Sequence, residues 1–333
     1  PAPAMKISVL GAGAWGTALA LRLAAHTPVI LWTRSTEHAE SMRQERENRR
    51  YLPGFSLPRG LSIGADLSSV ITGVDLLIIA VPSNGFRPLV LALRQLGITT
   101  PIVWLCKGLE TGSQKLPHAV LAEAWPDHPR AAVLSGPSFA HEVALGLPAA
   151  LTVASPDADF ARQVARELHD PKLRLYASTD VIGVELGGAV KNVIAIAAGI
   201  SDGLGFGLNA RAALVTRGLA ELTRLGLRLG GRPETFMGLS GMGDLILTCT
   251  GDLSRNRQLG LRLAAGESLE GALRELGHVA EGATTALEVE RLARELAVDM
   301  PITEAVVQIL NQEMPPREAV AALLARDLKD EGG

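Results

Sequence analysis

The sequence predicts an α/β fold, with an N-terminal doubly wound parallel sheet followed by an all-helical C-terminal domain. Three observations carry this. Short apolar β-type runs alternate with helical segments up to about residue 180, the pattern of a parallel sheet covered on both faces. The first run feeds a glycine-rich turn that opens a helix. Beyond Thr179 the strand signals stop and helical patterns take over. At 333 residues the chain is long for one core, so two domains are expected, 5–180 and 181–333.

In chain order, Pro1–Ala4 before Met5 reads as an appended leader outside the fold. Lys6–Leu10 is a short strand running into Gly11-Ala12-Gly13-Ala14-Trp15-Gly16, and a helical pattern follows from Thr17 to about Ala25. This is G-x-G-x-x-G between strand and helix, the dinucleotide context of a Rossmann-type sheet. Gly11 permits the tight turn, Gly13 lets backbone approach a pyrophosphate at the helix N-terminus, and Gly16 allows close helix–strand packing. The second strand, Val29–Trp32, ends at Thr33-Arg34. An NAD-specific site usually carries an acidic residue there. Arg34 instead suits a 2′-phosphate or stacks on adenine, which favours NADPH while leaving NADH open.

Arg43–Arg50 is a charged stretch, read as an exposed helix or loop. Val74–Val81 is a near-continuous apolar strand ending in Pro82-Ser83-Asn84. Ile102–Leu105 exits into Cys106-Lys107-Gly108, and Ala131–Leu134 exits into Ser135-Gly136-Pro137-Ser138. Leu151–Ala154 and Leu173–Tyr176 complete the strand set. The helices expected afterwards are Val181–Ile200, Asn209–Leu229, a short one from Pro233, Arg255–Ala265, Leu269–Leu276, Ala283–Leu296, Thr303–Gln312 and Pro316–Arg326. Thr303, downstream of Pro301, reads as an N-cap.

The bulk numbers exclude more than they assign. With 47% hydrophobic and 20% charged residues and a net charge of -3, nothing calls for nucleic acid or an anionic membrane. The apolar run around Val193–Ile200 is too short and too glycine-interrupted to insert into a bilayer. Cys106 and Cys249 have neither metal spacing nor a disulfide framework and read as inert buried thiols in a reduced, cytoplasmic setting. The seven histidines show no ligand spacing, so no metal is expected.

Helix Val181–Ile200 is apolar on every side, and between Glu185 and Asp202 its one ionisable residue is Lys191. Nothing within a turn of Lys191 can neutralise it. Read alone, it either snorkels to the surface or is desolvated, with a pKa brought towards neutrality. Gly187 and Gly188 cost about 1 kcal/mol each against Ala in a helix interior, so another backbone or a ligand comes close there. Lys107 and Lys191, if neighbours, depress each other's pKa and attract an anion. Asp244, in Gly241-Met242-Gly243-Asp244, is either an Asx-turn residue or one that orients a lysine or a substrate hydroxyl. Ser254-Arg255-Asn256 sits at a helix start, where a cap, free N–H groups and a guanidinium suit an anion as well as an ordinary capped surface helix.

Several segments together resemble the bacterial-type NAD(P)-dependent sn-glycerol-3-phosphate dehydrogenases: GAGAWGTALA (11–20), VPSN (81–84), KGLE (107–110), LSGPSFAHE (134–142), the run 181–221 around VELGGAVKNVIAIAAGISDG, FMGLSGMGDLILTCTGDLSRNR (236–257) and MPITEAV (300–306). The resemblance implies reduction of dihydroxyacetone phosphate to sn-glycerol 3-phosphate with NADPH or NADH, supplying the phospholipid backbone in the cytoplasm, by a homodimer. It also implies Lys191 as proton donor and acceptor. By the same resemblance Lys107, Gly136, Ser138, Lys191, Asp244, Ser254, Arg255 and Asn256 contact substrate. For the cofactor it implies Gly11, Gly13, Ala14, Trp15, Gly16, Arg34, Lys107, Ala140, Arg255, Val279 and Glu281. Position 14 is often Ser in that family and is Ala here, which leaves the pyrophosphate to backbone N–H groups. A β-hydroxyacid dehydrogenase and a non-catalytic NAD(P) sensor are the rival readings, and Ser254-Arg255-Asn256 favours a phosphate-bearing substrate over both.

Overall fold

A computed structural model describes residues 5–277 and 280–324, so Val279 lies outside the described residues. Two compact units emerge, one running to Cys106 and resuming over Pro117–Val181, the other formed by Lys107–Leu116 and the chain from Ile182.

The first unit contains β1 (Ile7–Leu10), β2 (Val29–Trp32), β3 (Glu47–Asn48), β4 (Leu52–Ser56), β5 (Leu61–Gly64), β6 (Leu76–Ile79), β7 (Ile102–Trp104), β8 (Ala131–Ser135), β9 (Ala149–Ala154) and β10 (Leu173–Ser178). Eight of these make one sheet in the order β10-β9-β8-β7-β6-β1-β2-β5, and β3 pairs with β4 apart from it. Every residue of β1, β6 and β8 is buried, as strands covered on both faces require. Strand order reverses between β1 and β6, so the turns leaving those two strands flank the position where such sheets hold ligands.

Three expectations need correcting here. The sheet is not parallel throughout: β9 runs antiparallel to β8. The link from β8 to β9 carries the five-residue helix Ala140–Ala144. Strands β4 and β5 gave no readable signal, because Leu52–Ser56 contains Pro and Gly and Leu61–Gly64 is a short edge strand. Finally, the charged stretch 43–50 is not uniformly exposed, because Asn48 has no accessible surface.

The second unit is helical and is organised around helix Val181–Gly203. This helix is long and apolar enough to cross a membrane, yet 94% of its apolar window is buried in protein. Its glycines explain how neighbours approach so closely. A Cβ at Gly187 would collide with the Ser240 carbonyl, and one at Gly199 with the Arg257 carbonyl. Another backbone therefore occupies the space that Gly187 leaves. Helix Pro301–Leu310 starts at Pro301 with Met300 as N-cap, which overturns Thr303 as the cap. Buried Glu221 does that work from another helix, accepting from the Ile302 N–H at 2.6 Å and the Thr303 N–H at 3.2 Å.

Candidate active site

The first unit offers a seat for an anion at the β1 turn. Gly11 adopts φ +130, and a Cβ there would collide with the Ala80 carbonyl at the end of β6. A Cβ at Gly16 would strike the Gly11 carbonyl and come within 2.8 Å of the Ala80 Cβ, whereas one at Gly13 would meet nothing within 4 Å. Gly11 and Gly16 thus close the turn against the sheet, and Gly13 leaves space in front of helix Ala14–Leu23. Among the described residues no side chain caps that helix, so its first N–H groups, including those of Ala14 and Trp15, are open to an acceptor. These residues fit a dinucleotide pyrophosphate. Arg34 lies exposed just beyond β2. On the exit of β8, Gly136 adopts φ +148, the Ser138 hydroxyl donates to the Gly136 carbonyl at 3.0 Å, and Ala140 opens the following short helix.

The second unit holds a charged cluster inside an apolar core. Lys191 is 7% exposed on its helix, surrounded by fully buried Val190, Val193, Ile194 and Ala195. Its partner comes from far along the chain. Asp244, fully buried, opens helix Asp244–Thr250 directly after a π-helical turn over Leu239–Gly243. The Lys191 ammonium donates to Asp244 Oδ1 at 2.5 Å, and the Lys107 ammonium donates to Asp244 Oδ2 at 2.8 Å. Thr248, one turn on, donates to the Asp244 carbonyl at 2.6 Å and lies 3.4 Å from Oδ1. Of the two readings of Asp244, the one in which it orients a lysine matches this geometry, and it does so for two lysines at once.

Burial brings Lys191 down from 10.5 to about 8. Asp244 resists that fall and Lys107 adds to it. Burial also raises the half-buried Glu281 carboxyl, held back by Arg255, Lys107 and Lys191. Two ammonium groups against one carboxylate leave a net positive charge where little water competes. Such a pocket attracts an anion and keeps a proton close to exchange.

Ser254 caps helix Arg255–Ala264, its hydroxyl accepting from the Arg257 N–H at 3.2 Å. Arg255 is exposed, while Arg257 is committed to Asp202 and Asp252, both at 2.9 Å. Asn256 is buried and accepts from the Gly282 N–H at 3.0 Å, which ties this helix to the start of helix Glu281–Glu295. Lys107, Lys191 and Asp244 therefore converge, and Glu281 lies within electrostatic reach of Lys107, Lys191 and Arg255. Gly136, Ser138, Ala140, Arg34 and the glycine turn belong to the first unit. Thr248 was missed because Leu245–Leu247 reads as an apolar run. Its signal is the spacing from Asp244, one helical turn. Cys106 and Cys249 are buried thiols outside any disulfide, and burial pushes the Cys249 thiol up to about 12.

With this geometry in place, comparison with known proteins adds a family. The family described as NAD-dependent glycerol-3-phosphate dehydrogenase N-terminus matches residues 6–161, and its C-terminus counterpart matches residues 180–321. A glycerol-3-phosphate dehydrogenase [NAD(P)+] of Nitrosospira multiformis is 58% identical over 331 residues, covering 98% of this chain and 99% of that protein. One from Thiobacillus denitrificans is 57% identical, covering 98% and 100%. Among solved structures, the glycerol-3-phosphate dehydrogenase of Coxiella burnetii superposes with a TM-score of 0.93 at 44% identity, covering 97% and 99%.

Proposed function

The chain belongs to the NAD-dependent glycerol-3-phosphate dehydrogenase family, and from that premise we propose that it reduces dihydroxyacetone phosphate to sn-glycerol 3-phosphate with Lys191 as the acid. It is an NAD(P)-dependent oxidoreductase, and the reaction supplies the glycerophospholipid backbone. When bound at the glycine turn, NAD(P)H supplies the hydride. Everything else falls to this chain's side chains.

The observation that carries the reading is the buried Lys191–Asp244–Lys107 cluster. Reduction of a ketone needs a proton delivered to the oxygen as negative charge develops there. With its pKa at about 8, Lys191 is roughly nine-tenths protonated at pH 7 and yet gives up its proton without a large penalty. Asp244 fixes the ammonium in direction and keeps it charged, and Lys107 adds positive charge beside the developing alkoxide. Arg255, exposed beside the Ser254 cap, is the grip for the substrate phosphate, and Asn256 holds Gly282 and with it the Glu281 end of its helix. Such proton transfer is worth about 10²–10⁴-fold, less than the positioning of ketone against cofactor. Gly136 and Ser138 on the β8 exit are assigned to the substrate, and Ala140 to the cofactor, with Gly11, Gly13, Ala14, Trp15, Gly16, Arg34 and Glu281. Val279 joins that set on the resemblance alone. The enzyme works as a cytoplasmic homodimer, a state that light scattering of the purified chain would test.

Absorbance at the nicotinamide band on adding dihydroxyacetone phosphate tests the reaction, with short hydroxy- and ketoacids as controls. Lys191→Met is expected to lose turnover by about 10²–10⁴-fold with cofactor affinity little changed, and near-normal turnover would remove Lys191 from the mechanism. Arg34 leads us to assign NADPH as the preferred cofactor. Arg34→Asp is expected to move the ratio of kcat/KM towards NADH, and an unmoved ratio would reject the 2′-phosphate role.

A further inference from the structure

Asn48 is a polar side chain with no accessible surface. It lies in β3, where the register with β4 slips between Glu47 and Asn48. Its Nδ2 donates to the Ala12 carbonyl at 2.9 Å and to Thr17 Oγ1 at 2.8 Å. Its Oδ1 accepts from the Tyr51 N–H at 3.3 Å and lies 3.0 Å from His38 Nε2. The other ring nitrogen, His38 Nδ1, is 3.3 Å from Thr33 Oγ1, and the His38 N–H donates to Ser35 Oγ at 3.1 Å. Ala12 is in the glycine turn, Thr17 is in the first turns of the helix it opens, and Thr33 and Ser35 flank Arg34.

We infer that Asn48 is a positioning residue for cofactor binding, holding the glycine turn and, through His38, the Arg34 loop in one fixed relation. This rests on the dehydrogenase reading. A trans peptide is planar with its C=O and N–H pointing opposite ways. Pinning the Ala12 oxygen onto buried Asn48 therefore points the Gly13 N–H away from Asn48, at a residue whose own Cβ position is open. The pyrophosphate then meets a donor already aimed, and binding loses less freedom than if the turn had to be ordered on arrival. A buried amide with both ends used also has one satisfied orientation, because rotating it by 180° would set oxygen against the Ala12 oxygen.

Asn48→Asp tests this, because the carboxylate keeps the size and the acceptor for His38 and Tyr51 but sets an oxygen against Ala12. We expect KM for NADPH and for NADH to rise together by about tenfold, with kcat at saturating cofactor and KM for dihydroxyacetone phosphate within about twofold. The Kd for adenosine diphosphate ribose, measured by calorimetry, should rise in parallel. A merely structural Asn48 would lower the unfolding midpoint and leave those constants in place, and that result, or a loss confined to kcat, overturns the inference. Thr17→Ala removes one of the two acceptors and should raise the same constants about two- to threefold. If Asn48→Asp does not fold, Thr17→Ala decides alone, and unchanged constants reject the idea. A wild-type chain that fails to oxidise NAD(P)H with dihydroxyacetone phosphate defeats the dehydrogenase reading, while the adenosine diphosphate ribose titration still decides the role of Asn48.

Discussion

Asp244→Asn removes a charge from the centre of the lysine cluster and leaves the shape almost intact. In the wild-type protein the Asp244 carboxylate faces Lys191 at 2.5 Å and Lys107 at 2.8 Å, both largely out of water. Burial and Lys107 already bring Lys191 to about 8, and Asp244 is what stops the fall there. An opposite charge at this range moves a pKa by roughly 1–3 units, or about 1.4–4 kcal/mol of preference for the charged form. Without it, Lys191 should lose its proton well below pH 8. The assay is kcat/KM for dihydroxyacetone phosphate against pH, which reports groups of the free enzyme. The wild-type profile should fall above about pH 8, and the variant's alkaline limb should move down by roughly 1–3 units. Breaking a buried pair also costs about 3–5 kcal/mol of stability, so the profile must be taken below the variant's unfolding midpoint. An alkaline limb that stays at about 8 in folded Asp244→Asn would refute the claim that this carboxylate tunes the acid.

Three further outcomes follow from the same structure. The native state holds the Lys191 proton less tightly than the unfolded chain, 8 against 10.5, so this group's contribution makes wild-type stability rise as pH climbs through that window. Lys191→Met should be inactive and should lack that rise, so its stability relative to wild type falls by up to about 3 kcal/mol between pH 8 and pH 10.5, read from unfolding midpoints against pH. Gly16→Ala places a methyl against the Gly11 carbonyl and the Ala80 Cβ, so cofactor binding should weaken by at least about tenfold, and unchanged NADPH titration would contradict the packing. Glu221 is pushed by burial up to about 7 against three donors from Ile302 and Thr303. Its native form holds a proton more tightly than the unfolded chain, so this contribution to stability is lost as pH rises from about 4.5 to 7, up to about 3 kcal/mol. Urea unfolding of Glu221→Gln should lack that slope.

What could be read from the chain is what local physics writes locally. Apolar runs covered on both faces announced β1, β6 and β8, and a helix apolar all round announced the core of the second unit. Three glycines between strand and helix announced a dinucleotide turn, and the family resemblance lay in contiguous segments. Other features had no local trace. Asp244 is separated from Lys191 by 53 positions, and no periodicity near either residue says that they meet. Glu221 caps a helix 81 positions away, so Thr303, with the right chemistry in the right place, was the natural local choice for that cap. Asn48 sits in a stretch that composition marks as solvated, and it is buried because the β3–β4 hairpin carries it under the glycine turn. Strand direction at β9 likewise left no local trace. The sequence by itself determined the central strands, the dinucleotide turn and the apolar core helix. Tertiary structure alone decided which charges are neighbours, because a carboxylate tunes a lysine through the distance and the water between them, and neither is a property of sequence separation.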